Sequence, residues 1–535
     1  MREATWRAIV ARLLLAAKVL RERVPLRARR IIVSLVALAG LAAFMLDVSL
    51  GRMIDGDEGY FLMAARLVSE GKVPYRDFFL PQGPVLPALF GLCFWAMGRS
   101  WVIGRAIAGA LAVLMGLLVY RQALSATGRR AAAIFATILF AFSGMTIGWL
   151  TIVKGFGLAA LCMLAASSLV GVAVGKAQTH SDHRTIAAGA AGLAIGLAAS
   201  TRLYTLAIMP TLALYLVCKL GLHRSSARRL GGYGLGCVVG LLPLIVSYAV
   251  DRQAFVFDTI LFHGIREYGQ DSLLGSLTEK APIALKALGF DREASLGNRQ
   301  LMGMALMATM AMLARIRVRG DVGSSAAWIW PVLLAVSVLP NPFLPQYFCL
   351  LVPFLAIESG LLLAAFLDGW QRSPRLWPAA VAACAMVYLV YHVGVGWMER
   401  DRYLRTGEGV PGVMSTDRVS RWRIDTVEGV ARGIDALGFP VAASWWPGYF
   451  ISSRTNITLV LANDFGLRAG EVLSPKLRRR FHVASSSDVN DMIRQSNPRL
   501  FVEGNWANLP LAAQLPAYGY QNRGTIHNVR LWALK

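Results

Sequence analysis

Charge is what this sequence has least of. Only 16% of its 535 residues are charged, against about 25% in an ordinary soluble domain. That excludes a standard cytosolic enzyme and a disordered chain, which needs low hydrophobicity and high charge. Carboxylates are the scarcer sign, 31 against 55 Lys and Arg, for a formal net charge of +24. Cysteine is sparse as well. The six, Cys93, Cys162, Cys218, Cys237, Cys349 and Cys384, all sit in apolar stretches without a CxxC. They read as small buried hydrophobes and exclude a disulfide framework or a cysteine zinc site. There is no GxSxG elbow, no HExxH, no Walker A loop and no GxGxxG after a strand, so the motif-borne hydrolase, zincin and nucleotide chemistries have no footing. Internal repeats and low-complexity tracts are absent too.

What the chain has instead is apolar length: 56% hydrophobic residues and a mean hydropathy of +0.51. A membrane-crossing helix needs about 20 apolar residues. Runs of that kind fall at roughly 31–50, 101–120, 131–150, 155–175 after the interruption by Lys154, 185–200, 203–219, 230–250, 300–314, 325–340, 346–366 and 376–396. The fold class is therefore a polytopic α-helical membrane protein of about eleven spans. The run 84–97 is apolar for only about 14 residues, which suits a re-entrant or interfacial helix better than a crossing. Residues 397–535 return to a soluble composition. There, 441–446, 457–462, 499–504 and 528–535 read as strands, and 421–437 and 487–496 as helices, giving a small C-terminal α/β domain.

The basic residues punctuate the apolar runs and form no single stripe, so the high charge points to cytoplasmic loops of a membrane protein and not to nucleic acid. Nine Lys and Arg lie in the first thirty residues, which places the N-terminus in the cytoplasm. With 84–97 not spanning, the basic clusters at 121–130, 176–184, 223–229, 315–319 and 367–375 fall on that same side. Counting it as a span would move the next four clusters outside, against the positive-inside rule. The organisation is then a basic segment 1–30, a membrane module 31–396 with a first outer loop at 51–100, and an extracytoplasmic domain 397–535. An inner-membrane location is the matching expectation.

Of the nine carboxylates before residue 251, five lie between 51 and 100, three of them in Asp55-Gly56-Asp57-Glu58. A carboxylate at a hydrocarbon boundary is costly unless it is used or paired. Clustered acids suit a general base or a divalent-metal ligand such as one for Mg or Mn; a solvated loop is the bland alternative. Against the positive-inside bias, Lys154, Arg202 and Arg266 fall on the outer side. Fixed cations there suit a lipid-linked phosphate, Arg as a fork and Lys as a point charge; snorkelling or loop surface is the plainer reading. Tyr347, after the proline-rich corner PNPFLPQ, fits an interfacial belt or a ligand contact. His263 is a secondary binding or acid candidate. Trp445 and Trp446 fit strand packing, sugar or bilayer contact. Asn456-Ile457-Thr458 matches the N-glycosylation pattern, which is frequent by chance.

The stretch DGDEGYFLMAARLVSEGKVPYRDFFLPQGPVLPALFG resembles the first outer loop of GT-C-type integral-membrane glycosyltransferases. The similar branch includes the lipid A aminoarabinose transferase, galacturonosyltransferases of lipopolysaccharide core and protein O-mannosyltransferases. The resemblance implies that Asp57 and Glu58 are the acidic hallmark, Asp57 acting as catalytic base or acceptor-orienting residue. It implies a juxtamembrane helix at 84–97. Through STRLYTLAIMP, FHGIREY and FLPQYFCLLVPFLA it implicates Arg202, Arg266 and Tyr347 near the lipid phosphate. Lys154 stands where many relatives carry a second Asp, a departure that bears on any two-carboxylate metal site. The implied partners are a polyprenyl-phosphate sugar donor, a lipid, glycan or protein acceptor and the bilayer. The competing class is a lipid transporter or flippase, but neither similar halves nor broken midplane helices are evident.

Overall fold

The computed structural model describes residues 25–175, 181–221, 223–265, 273–319, 323–340, 343–372, 376–405, 423–463, 465–504, 510–527 and 529–535. The apolar runs become helices because nothing but an intrasegment hydrogen-bond ladder satisfies a backbone in lipid. In chain order these are α1 Leu26–Gly51, α2 Gly56–Ser69, α3 Val85–Met97, α4 Trp101–Thr127, α5 Arg130–Ala141, α6 Gly155–Val174, α7 Ser181–Thr201, α8 Ile208–Leu220 and α9 Arg224–Val250. They continue with α10 Leu273–Leu288, α11 Leu296–Arg319, α12 Ser325–Ser337, α13 Val352–Arg372 and α14 Leu376–Arg405.

Among the described residues, six helical stretches are long and apolar enough to cross a membrane: Ser34–Gly51, Trp101–Thr127, Gly155–Val174, Leu203–Leu220, Ser226–Val250 and Pro345–Gly369. The other five expected segments are helices as well (α5, α7, α11, α12 and α14) but fall outside those limits. Helix α3 has 13 residues, about 20 Å of rise, short of the ~30 Å hydrocarbon core. Its Leu92, Trp95 and Met97 are exposed, as an interfacial helix requires. The expected run 131–150 is not one helix: α5 ends at Ala141, and a π-helical turn, Thr146–Leu150, leads towards Lys154.

The α7–α9 pair packs backbone to backbone. A Cβ on Gly192 would stand 2.0 Å from the Tyr233 carbonyl oxygen, so only glycine permits this approach, as in many membrane helix pairs. Ser200 Oγ then donates to the Gly240 carbonyl at 2.8 Å, fixing the end of α7 beside Arg202.

The C-terminal domain begins with α15 Ile424–Ala436 and carries α16 Ser486–Arg494. Its five strands are β1 Val441–Ser444, β2 Asn456–Ile457, β3 Leu500–Glu503, β4 Gln521–Ile526 and β5 Val529–Ala533. They form one mixed sheet, order β2-β1-β3-β5-β4. β1 pairs in parallel with β2 and β3, whereas β5 runs antiparallel to β3 and β4. One strand expectation is corrected. Residues 457–462 pair only at Ile457 and then turn into a 3-10 helix, Leu459–Leu461, because apolarity alone does not distinguish a strand from a buried turn. Strand β4 was not expected: its residues are mostly exposed and give no alternating signal.

Candidate functional site

Helix α2 opens on the acidic cluster. Asp55 is its N-cap: its side chain accepts from the Asp57 amide at 3.1 Å, while Glu58 accepts from the Asp55 amide at 2.9 Å. This reciprocal capping box satisfies two otherwise orphaned donors and gathers three carboxylates in one helical turn, where the positive end of the helix dipole favours them.

The three then diverge in environment. Glu58 is wholly buried. It faces the equally buried Arg105 of α4, with Nε–Oε2 at 2.6 Å and an Nη2–Oε1 bond of 2.7 Å. The Val153 amide donates to Oε2 at 3.1 Å. Arg105 also donates to the carbonyls of Ser49 and Met53. With its oxygens so engaged and no solvent access, Glu58 ties α1, α2, α4 and the loop before Lys154 together. Of the two acids that the sequence singled out as catalytic, Glu58 is thus the one closed off from solvent.

Lys154 caps the start of α6, and its ammonium bridges the other two acids, 2.7 Å from Asp55 Oδ1 and 2.9 Å from Asp57 Oδ2. The Trp149 ring lies 4.6 Å from Nζ. Burial would push the Asp55 carboxyl up, but Lys154 and Arg52 outweigh it and hold the group below the usual carboxylate range. Burial likewise opposes a charged Lys154, yet Asp55 and Asp57 keep it protonated above the usual lysine range. Of the three carboxylates Asp57 is the most accessible, its side chain 33% exposed against 10% for Asp55.

Asp57 opens onto a narrow cavity of about 40 Å³ that it shares with Tyr60, Arg202, Gln346, Tyr347 and Asn463. A second, wider cavity of about 380 Å³ lies beyond, within the size range of ligand sites. Pro81, Gln82, Arg202 and Tyr347 line both. Arg202 is buried, packs over the Phe156 ring at 3.9 Å, and its Nε has no hydrogen-bond partner. Tyr347 stands 6.0 Å from Tyr204 and 5.9 Å from Phe156, centroid to centroid. Leu203, Ile260 and Leu339 on the wider cavity are exposed apolar side chains, so its mouth is apolar while its inner wall carries a guanidinium.

The loop that forms the shared wall is pinned from two sides. A Cβ on Gly83 would meet the Ser200 carbonyl oxygen at 2.1 Å, so this glycine lets the loop rest on the end of α7. Asp258, wholly buried in the helical turn Phe257–Leu261, accepts from the Leu80 amide at 2.8 Å. Burial pushes the Asp258 carboxyl well above the usual range. His263 reaches the same loop, Nε2 to the Pro81 carbonyl at 3.2 Å, and lines the wider cavity. Arg266 lies outside the described residues.

The C-terminal domain sits directly on α2. Trp446 Nε1 donates to the Gly56 carbonyl at 2.9 Å, and its ring stacks on Trp101 at 5.8 Å. Arg66 of α2 donates to the carbonyls of Phe450 and Thr455 and, at 2.7 Å, to Asn456 Oδ1. Trp446 and Asn456 are therefore docking residues in this structure. Sequence reading missed Arg52, Arg66, Arg105 and Asp258. Arg105 carried a usable signal, a lone charge inside an apolar run.

Among the described residues no group of three or more His, Cys, Asp or Glu is arranged to hold a metal ion. The Asp55–Asp57 pair fits a divalent cation poorly, because the Lys154 ammonium occupies the space between the two carboxylates.

No family model and no curated protein matches this sequence. Solved structures do match in fold. ArnT from Cupriavidus metallidurans bound to undecaprenyl phosphate aligns with a TM-score of 0.66 at 15% identity, over 93% of this chain and 97% of that one. Its apo state aligns with a TM-score of 0.64. The Archaeoglobus fulgidus oligosaccharyltransferase tethered with an acceptor peptide aligns at 0.52 and 14% identity, over 88% of this chain and 69% of that one. The resemblance drawn from the stretch that begins at Asp55 thus extends to the fold, which is similar to that of these solved structures over nearly the whole chain.

Proposed function

We propose that this protein is a membrane glycosyltransferase that moves a monosaccharide from a polyprenyl-phosphate donor to an acceptor hydroxyl at the outer face of the membrane. The observation that carries this reading is Arg202, a buried guanidinium set in the wall common to an apolar-mouthed cavity and a narrow cavity ending at Asp57. The polyprenyl chain enters laterally past Leu203, Ile260 and Leu339. The phosphate meets Arg202, whose planar fork suits its oxygens.

The acceptor hydroxyl is oriented at Asp57, which takes its proton as the oxygen attacks the anomeric carbon. The new carbon–oxygen bond forms as the bond from that carbon to the phosphate oxygen breaks. The electron pair leaves with polyprenyl phosphate, whose charge Arg202 stabilises. Attack opposite the leaving group inverts the anomeric centre. The narrow cavity at Asp57 is too small for a sugar, so donor binding has to widen it. The lipid ligand and acceptor peptide named for the fold neighbours support a lipid-linked donor and a separate acceptor.

The test uses the purified protein in nanodiscs with radiolabelled polyprenyl-phosphate monosaccharides and membrane lipid extract. Label moving from donor to a new product, and lost in Asp57→Asn, supports the reading. Label moving between leaflets without a product, unaffected by Asp57→Asn, would replace it with a flippase.

A further inference from the structure

Leaving aside Arg202 on the cavity wall, the acidic cluster has three carboxylates, Asp55, Asp57 and Glu58, and three buried cations that act on them. Lys154 bridges Asp55 and Asp57, Arg105 pairs with Glu58, and the buried Arg52 acts on Asp55. The formal sum is zero. Divalent-cation sites depend on an excess of anionic oxygen ligands, and none is left here. Position leads to the same end. The Lys154 nitrogen is 2.7 and 2.9 Å from one oxygen of each acid. A divalent ion bound at about 2.0–2.6 Å to both oxygens would stand close beside the ammonium, which repels it. The ammonium does not swing aside freely, because its stem is buried and the Trp149 ring lies 4.6 Å from Nζ.

We infer that Lys154 is a tethered monovalent cation standing in for a divalent metal between Asp55 and Asp57, so that the site works without a metal ion. In the glycosyl-transfer reading, on which this role rests, the ammonium orients the Asp57 carboxylate towards the acceptor without needing to be loaded. It also makes the site indifferent to metal supply outside the membrane. The cation is one protein atom, so exchanging a single side chain exchanges the cation.

The test is Mn(II) binding to the full-length protein in nanodiscs, read by electron paramagnetic resonance with no donor present. Wild type is expected to bind no Mn(II) that Asp57→Asn abolishes. Lys154→Glu, with three carboxylates around the vacated position, is expected to bind about one Mn(II) per chain. Lys154→Ala, which empties the position, should also take up Mn(II), more weakly, and covers a Glu variant that does not fold. Wild-type binding lost in Asp57→Asn would overturn the inference, as would folded Lys154 variants that bind no more than wild type. In the transfer assay, wild-type activity is expected to be the same in EDTA as in Mn(II), and EDTA inhibition reversed by Mn(II) would overturn it. The binding arms need no sugar, so a chain that excludes Mn(II) yet transfers no label would sink the transferase reading alone.

Discussion

Arg105 and Glu58 form a wholly buried ion pair, Nε–Oε2 2.6 Å, one residue along the chain from Asp57. Neighbouring acids have thus been given different work, Glu58 bracing α2 from inside and Asp57 facing a cavity. Removing one partner of such a pair leaves a buried charge uncompensated, at a cost of about 3–5 kcal/mol. Glu58→Gln should therefore lower the thermal unfolding temperature markedly. Glu58→Gln combined with Arg105→Met should recover much of the loss. Equal unfolding temperatures for wild type and Glu58→Gln would contradict the bracing role.

Asp57→Asn should behave in the opposite way. It keeps shape and an oxygen for Lys154 but cannot take a proton. Transfer is expected to fall by about 10²–10⁴-fold with little change in unfolding temperature. Retained activity in a folded Asp57→Asn protein would remove Asp57 from the mechanism.

Arg202→Ala should cut kcat/KM for the lipid-linked donor by about 10²–10³-fold. Arg202→Lys keeps the charge but loses the planar fork over Phe156, so it should fall between the two. A donor titration at fixed acceptor separates these effects, and a Lys variant equal to wild type would argue against fork recognition of phosphate.

The buried Asp258 gives stability a pH dependence. Its folded-state pKa lies above the unfolded value of about 3.9. Such a group contributes stability that is fully present below the unfolded pKa and lost as pH rises through the folded one. Wild type should unfold at a lower temperature at pH 8 than at pH 5. Asp258→Asn, which does not ionise, should flatten that slope. Identical slopes in the two proteins would show that Asp258 does not set it.

Trp446 couples the C-terminal domain to the acidic helix through Gly56 and Trp101. Trp446→Ala should cost about 3–5 kcal/mol and make the C-terminal domain, Ile424 onwards, more readily cleaved in limited proteolysis. Unchanged cleavage would mean the domain is held elsewhere, for instance by Arg66.

Much of the architecture is written in the sequence because membrane folding reads off composition. Apolar length makes helices, basic clusters mark the expected cytoplasmic side, and the shortness of 84–97 foretold a helix too brief to cross. The acidic cluster was equally legible, since charge beside hydrocarbon is costly and so conspicuous. What the sequence could not convey was which acid does what. Asp57 and Glu58 are adjacent letters, yet one helical step turns Glu58 to Arg105 and Asp57 to a cavity. Lys154 stood out as a misplaced cation, but that it bridges two acids 97 and 99 positions earlier is a fact of packing. Arg66, Arg105 and Asp258 find their partners far along the chain, and no local pattern records a contact of that range. The sequence by itself determined the membrane helices and the chemical stock of the site. Only the tertiary structure decided its charge balance, because the pairing of buried charges depends on distances in space and not along the chain.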